Sequence, residues 1–159
     1  LVYYPNWDKS CNYFCIPNYP SLMVYAATPS NLSETDELRI IFQGSIGEGH
    51  ALEELIELLQ ERFSGRHLTL ILKGSVRNNY KEKLNKLADK FRVAEQITWV
   101  GLGPYVELPA ITSSCHIGIS IHTGNDEVRK TLGTASNKIY EYAASGLPVI
   151  LYDIDQFKT

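Results

Sequence analysis

The sequence predicts an α/β domain built on a doubly wound parallel sheet, and three observations carry that reading. Short apolar runs recur at residues 38–42, 68–72, 97–100, 116–121 and 148–152. Stripes of apolar residues at helical spacing lie between them. Every connection from one run to the next is long enough for a crossover, which parallel neighbours require and hairpin neighbours do not.

Residues 1–37 carry Tyr4-Pro5-Asn6, Pro17-Asn18-Tyr19-Pro20 and Thr28-Pro29-Ser30-Asn31, punctuation that suits a connecting segment with one short strand at 13–16. Leu38-Arg39-Ile40-Ile41-Phe42 is the first strand, closed by Gly44. Leu52, Leu55, Ile56, Leu59 and Phe63 then mark one face of a helix. The cycle repeats with a strand at 68–72 and a helix whose stripe is Tyr80, Leu84, Leu87, Ala88 and Phe91. A third strand at 97–100 is followed by a shorter helical stretch that begins at Pro104 and is expected to bend at Pro109. In the fourth strand Ile117, Ile119 and Ile121 alternate with small or polar residues. After a long loop at 122–135, Ser136 caps a helix, Gly146 stops it and Pro148 leads into the fifth strand.

Composition narrows the function classes. With 159 residues and 44% hydrophobic content, the chain can bury a proper core. A net charge of −3, with dispersed lysines and arginines, argues against nucleic acid as a partner and for a small phosphorylated ligand. No stretch is long enough to span a bilayer. The chain opens on Leu1 and reads as part of something longer. Cys11, Cys15 and Cys115 have neither the number nor the spacing of a zinc site or disulfide framework, so reduced thiols in a cytosolic compartment are the expectation, with a Cys11–Cys15 bridge as the alternative. The four histidines form no metal-ligand cluster in sequence, and no metal is expected.

Ligands of such sheets bind beyond the carboxyl ends of the strands. The helix start at Ser136 and Asn137 offers free N–H groups to an anion, and Lys138 stands where the helix dipole disfavours a cation unless an anion is bound there. Glu141, one turn on, is placed to accept hydrogen bonds from ribose hydroxyls. A surface ion pair between Lys138 and Glu141 is the plain alternative. Gly44-Ser45-Ile46-Gly47-Glu48-Gly49 allows close backbone approach to a phosphate, yet matches neither a P-loop nor a dinucleotide fingerprint, and a flexible turn explains it equally well. Lys73 ends the second strand over the same edge as Lys138; a solvated lysine is its plain reading. His122, at the mouth of the fourth strand, and Arg129 and Lys130, in the long loop, have ordinary surface readings as well as ligand-contacting ones. There is no Gly-x-Ser-x-Gly elbow, so nucleophilic hydrolysis has little support.

Tyr140-Glu141-Tyr142-Ala143-Ala144-Ser145-Gly146-Leu147-Pro148-Val149-Ile150 resembles the most recognisable stretch of the retaining family 4 (group 1) glycosyltransferases, and residues 38–153 resemble the donor-binding, C-terminal Rossmann-like domain of their GT-B fold. Ile16-Pro17-Asn18-Tyr19-Pro20 is similar to the handover from the acceptor domain. The resemblance implies a linker or acceptor-domain end at 1–37 and a donor domain at 38–159, incomplete at its C-terminus and inactive on its own. It puts Glu141 on the donor ribose, Ser136, Asn137 and Lys138 at the diphosphate with Lys73 and the Gly44-Ser45 turn, and Gly101, Leu102 and Tyr105 near the base. It implies a nucleoside-diphosphate sugar as donor, a hydroxyl acceptor held by the other domain, no cofactor, and polysaccharide or glycolipid synthesis at the cytoplasmic membrane face. The family often has Glu-x7-Glu where this chain has Gly133, and an Arg and Lys after the first strand where it has Ser45, Ile46, Glu48 and His50. A nucleotide-sugar 2-epimerase half and a non-catalytic nucleotide-binding module are the alternatives.

Overall fold

The computed structural model describes residues 19–25, 36–123 and 136–153. The expected strand at 13–16, Cys11 and Cys15, and the loop positions Arg129, Lys130 and Gly133 lie outside them. A short helix, α1 (Leu22–Tyr25), precedes the sheet. The strands are β1 (Glu37–Gln43), β2 (Arg62–Phe63), β3 (Arg66–Lys73), β4 (Ile97–Trp99), β5 (Ile117–Ser120) and β6 (Val149–Leu151), and the remaining helices are α2 (Leu52–Leu58), α3 (Asn78–Phe91), α4 (Leu108–Ser113) and α5 (Asn137–Ala144).

The parallel strands stand in the order β4-β3-β1-β5-β6. The chain winds from β1 outward through β3 to β4, then returns to the other side of β1 with β5 and β6. The doubly wound expectation holds, and the switch point falls between β1 and β5. Alternation along β1 builds a core on each face. Ile40 and Phe42 join Leu68, Leu70, Leu72 and Ile119 under α2 and α3, with Leu52, Ile56, Leu84 and Ala88 facing them. Ile41 points the other way, to Cys115, Tyr142 and Leu147. Cys115 is a free thiol whose pKa burial pushes up to about 11.

Two expectations are corrected. The stripe ending at Phe63 overruns its helix: α2 ends at Leu58, and Phe63 is 64% exposed in β2. Ser64 and Gly65 take φ of 52° and 81°, the left-handed pair of a tight hairpin, and fold β2 antiparallel onto the first residues of β3. The sheet is therefore not wholly parallel; β2 and β4 share one edge of β3, β2 along its start and β4 along its end. Pro109 does not bend a helix in its middle. It sits in the first turn of α4, where its missing N–H costs nothing.

Candidate functional site

β1 and β5 pair only at Ile40 with Ile117 and Ile41 with Gly118. Beyond that point Tyr142 of α5 stands between them. The backbone N–H of Gln43 donates to the Tyr142 hydroxyl (2.9 Å), and the phenol's own proton lies between the carbonyls of Ile41 (3.2 Å) and Ile119 (3.4 Å). The ring packs on Gly118 so closely that a Cβ there would stand 2.5 Å from it. Burial raises the Tyr142 pKa, so the phenol stays neutral and can both accept and donate. The splayed strand ends open a crevice at the switch point.

That wedge fixes the neighbouring residue on α5. Glu141 is buried, and Gln43 Nε2 donates to its Oε2 at 2.5 Å; Gln43 Oε1 in turn accepts from Thr112 Oγ1 at 3.2 Å. Burial pushes the Glu141 pKa up, opposed by hydrogen bonding from Gln43 and Tyr105 and by the charge of Lys138. Tyr25 of α1 closes this end, buried with its ring 6.3 Å from that of Tyr105.

Lys138 takes a different direction. Its Nζ lies 4.1 Å from the centre of the Phe42 ring, and its stem covers Gly44, where a Cβ would stand 3.6 Å from Cε. Lys138 and Glu141 feel each other's charge without being joined as Lys83 is to Glu53 (2.9 Å) and Glu48 (3.6 Å). Burial lowers the Lys138 pKa to about 8, and the attraction of Glu141 only partly offsets this. The start of α5 has no acidic residue in its first turn, and the Ser136 side chain makes no capping bond; its Oγ is buried without a partner. A cation, free N–H groups and an unsatisfied hydroxyl thus meet at one helix start, an arrangement that suits an anion.

Across the crevice the loops after β1, β3 and β4 run side by side, joined by Gly44 N to Lys73 O (2.9 Å), Ile46 N to Ser75 O (2.8 Å) and Gly74 N to Gly101 O (3.0 Å). Lys73 is buried and donates to Gly101 O at 3.0 Å, which leaves two of an ammonium's three protons for other acceptors.

Of the residues singled out in the sequence, Gly44, Lys73, Leu102, Tyr105, Ser136, Asn137, Lys138 and Glu141 line a single cavity of about 470 Å³. Ser45 does not; it lines the neighbouring cavity with Arg77 and Lys83. Gly101 does not line it either; its carbonyl anchors Lys73. Gln43, Thr112 and Tyr142 were not foreseen. A glutamine closing an apolar strand was the available signal for Gln43; nothing in sequence marks Tyr142 as a wedge, because its partner Gly118 is distant along the chain.

Comparison with curated proteins finds no match. Among solved structures, a glycosyltransferase from Rickettsia africae is 14% identical with a TM-score of 0.62, over 86% of this chain and 37% of that one. WaaG, a glycosyltransferase involved in lipopolysaccharide biosynthesis, is 18% identical with a TM-score of 0.59, over 85% and 36%. HepE from Anabaena, solved in complex with UDP and glucose, is 14% identical with a TM-score of 0.57, over 73% and 29%. At these identities the likeness is one of fold, and this chain spans about a third of the length of each. Residues 26–158 match the family described as "Glycosyl transferases group 1". This chain belongs to the group 1 glycosyl transferases.

Proposed function

We propose that the chain is the donor half of a retaining glycosyltransferase: it binds a nucleoside-diphosphate sugar, which is transferred to a hydroxyl acceptor held by another domain. The observation that carries this reading is the arrangement along one crevice at the switch point. A buried carboxylate, fixed by Gln43 from behind, stands next to a helix start that holds a partly buried cation and an unsatisfied hydroxyl. A ribose diphosphate needs these groups in this sequence, an acceptor for its hydroxyls and then positive potential for its phosphates.

The chain's part in the reaction is electrostatic. As the bond from the sugar to the distal phosphate breaks, negative charge grows on the departing diphosphate. Lys138, the free protons of Lys73 and the α5 dipole are oriented before the reaction and need no rearrangement to meet that charge. We read this charge compensation as metal-independent, residues 38–159 as the donor domain and residues 1–37 as the handover from an acceptor domain. The UDP in the Anabaena structure and the lipopolysaccharide role of WaaG favour a donor of the UDP type and polysaccharide or glycolipid synthesis. Among the described residues no helix is long and apolar enough to cross a membrane; peripheral membrane association through the acceptor domain is part of this proposal.

Calorimetry with single variants tests the reading. Lys138→Ala should weaken UDP binding by about 1.5–3 kcal/mol while leaving uridine nearly unchanged, the range for one charged hydrogen bond. Glu141→Ala should weaken both, and 2′,3′-dideoxy-UDP should be insensitive to it. EDTA should change none of these affinities. Parent-like binding of UDP and GDP by both variants would remove the proposed donor site.

A further inference from the structure

As the sugar leaves, the diphosphate gains one more negative charge, and Lys138 is not the last polar group packed on the Phe42 ring. The Phe42 ring that carries the Lys138 ammonium also carries His50, whose ring centre is 5.0 Å away. His50 in turn meets His122 edge to face at 5.1 Å. The rings come from different loops, His50 from the turn after β1 and His122 from just past β5, so the pair straddles the switch point.

The pair is held in a defined state. His50 Nδ1 lies 3.0 Å from the carbonyl of Ile121, which can only accept, so the ring proton is on Nδ1 and Nε2 presents a lone pair. The two loops are tied a second time by Thr123 N to Gly49 O at 2.7 Å. His122 Nδ1 is buried with no hydrogen-bond partner, an open polar valence beside His50. The charged groups around His50 are accounted for element by element. Glu48, on its own loop, turns to Lys83; Glu141, on α5, turns to Gln43; Lys73, at the end of β3, turns to Gly101; Lys138, on α5, faces it from across Phe42. Among the described residues no carboxylate is paired with the histidines.

We propose that His50 and His122 hold the distal phosphate of the donor diphosphate, and that His50 takes up a proton when it arrives. This rests on the donor-site reading and extends it to the leaving group. In the donor-site reading Glu141 takes the nucleoside end and Lys138 the phosphates, and the Phe42 ring that Lys138 shares with His50 puts the two side by side. Burial, together with the charges of Lys138 and His122, keeps His50 below its ordinary pKa in the empty site, so a bound dianion reverses its protonation. The proton comes from solvent. His50 is then a cation next to the oxygen that must accept the electrons of the breaking sugar–phosphate bond.

Calorimetry of UDP, UMP, GDP and GMP in buffers of different ionisation heat tests this. At pH 7, where Lys138 is already mostly charged, the diphosphate should bind with uptake of about one proton more than the monophosphate. Its advantage over the monophosphate should shrink as pH rises from 6 to 8. His50→Asn keeps a donor for the Ile121 carbonyl but loses Nε2, and His122→Gln removes the second ring. Each should weaken the diphosphate about tenfold or more, leave the monophosphate within about twofold, and abolish the extra proton uptake. Equal loss of both nucleotides, or an unchanged diphosphate advantage, would overturn the assignment while leaving the donor site standing. If the parent chain binds no nucleoside diphosphate, the assignment falls with the reading beneath it. The proton count and pH profile are read on the unaltered chain, so they decide the matter even if a variant does not fold.

Discussion

At the scale of single residues, Tyr142 has consequences out of proportion to its place in a surface helix. Its hydroxyl replaces the inter-strand bond that Gln43 N would otherwise make, and that substitution lets β1 and β5 separate. Tyr142→Phe leaves a buried N–H and two carbonyls without this partner, a loss of about 1–3 kcal/mol of stability. Because Gln43 would then lose its anchor, the variant should also weaken binding of any ribose-containing ligand, which a purely structural tyrosine would not do. Gly118→Ala attacks the same contact from the strand side. Its methyl would collide with the ring backed by α5, so a destabilisation of about 1–3 kcal/mol is expected from urea melts. A Gly118→Ala protein as stable as the parent would mean that the ring is not locked between the strands.

At the scale of elements, the three parallel loops after β1, β3 and β4 form the floor of the site, and their spacing depends on a meeting of two glycines. Gly74 has φ of 145°, and a Cβ there would lie 1.8 Å from the carbonyl oxygen of Gly44. Gly74→Ala must push the β1 loop away from β3, and with it the surface that Lys138 covers. The expected result is a lower melting temperature together with weaker diphosphate binding. By contrast, Ser64→Gly, in the hairpin at the far end of β3, should change stability only slightly and binding not at all.

The same contrast explains what the sequence made legible. β1, β3 and α3 were readable because their signals are local: an apolar run or a stripe reports on its own burial. That Lys138 and Glu141 line one cavity was readable through a helix start and its dipole, also a local feature. β2 was hidden because Arg62 and Phe63 continue the phase of the preceding helix, and only the backbone angles at Ser64 and Gly65 break it. The cluster of Phe42, His50, His122 and Lys138 was hidden for a different reason. Its members come from four segments and meet only after the sheet is wound, so no spacing within the chain announces them.

At the scale of the whole molecule, the empty site carries a cost in stability that a ligand relieves. Lys138 has a folded-state pKa of about 8 against an ordinary 10.5, so the unfolded chain binds more protons in that window and stability rises with pH from about 8 to 10.5. Glu141 acts in the same sense of strain and at the other end of the scale. Its folded-state pKa is raised above 4.5, so its neutral form is favoured in the fold and stability falls as pH climbs through that range. Lys138→Met keeps an apolar stem over Phe42 without the buried charge and should raise the melting temperature of the empty protein at pH 7, by about 1–3 kcal/mol in stability. The bound protein should respond in the opposite way. UDP stabilises the parent through its differential affinity for the folded state, and above pH 8 that stabilisation must shrink as Lys138 loses the proton that the diphosphate requires. In Lys138→Met the UDP-induced shift should be small at every pH, and the decline above pH 8 should be gone. Thermal melts at pH 7, 8 and 9, with and without UDP, separate the possibilities: a variant that is less stable when empty, or one that keeps the parent's shift and its decline, would show that the buried ammonium serves the fold rather than the ligand.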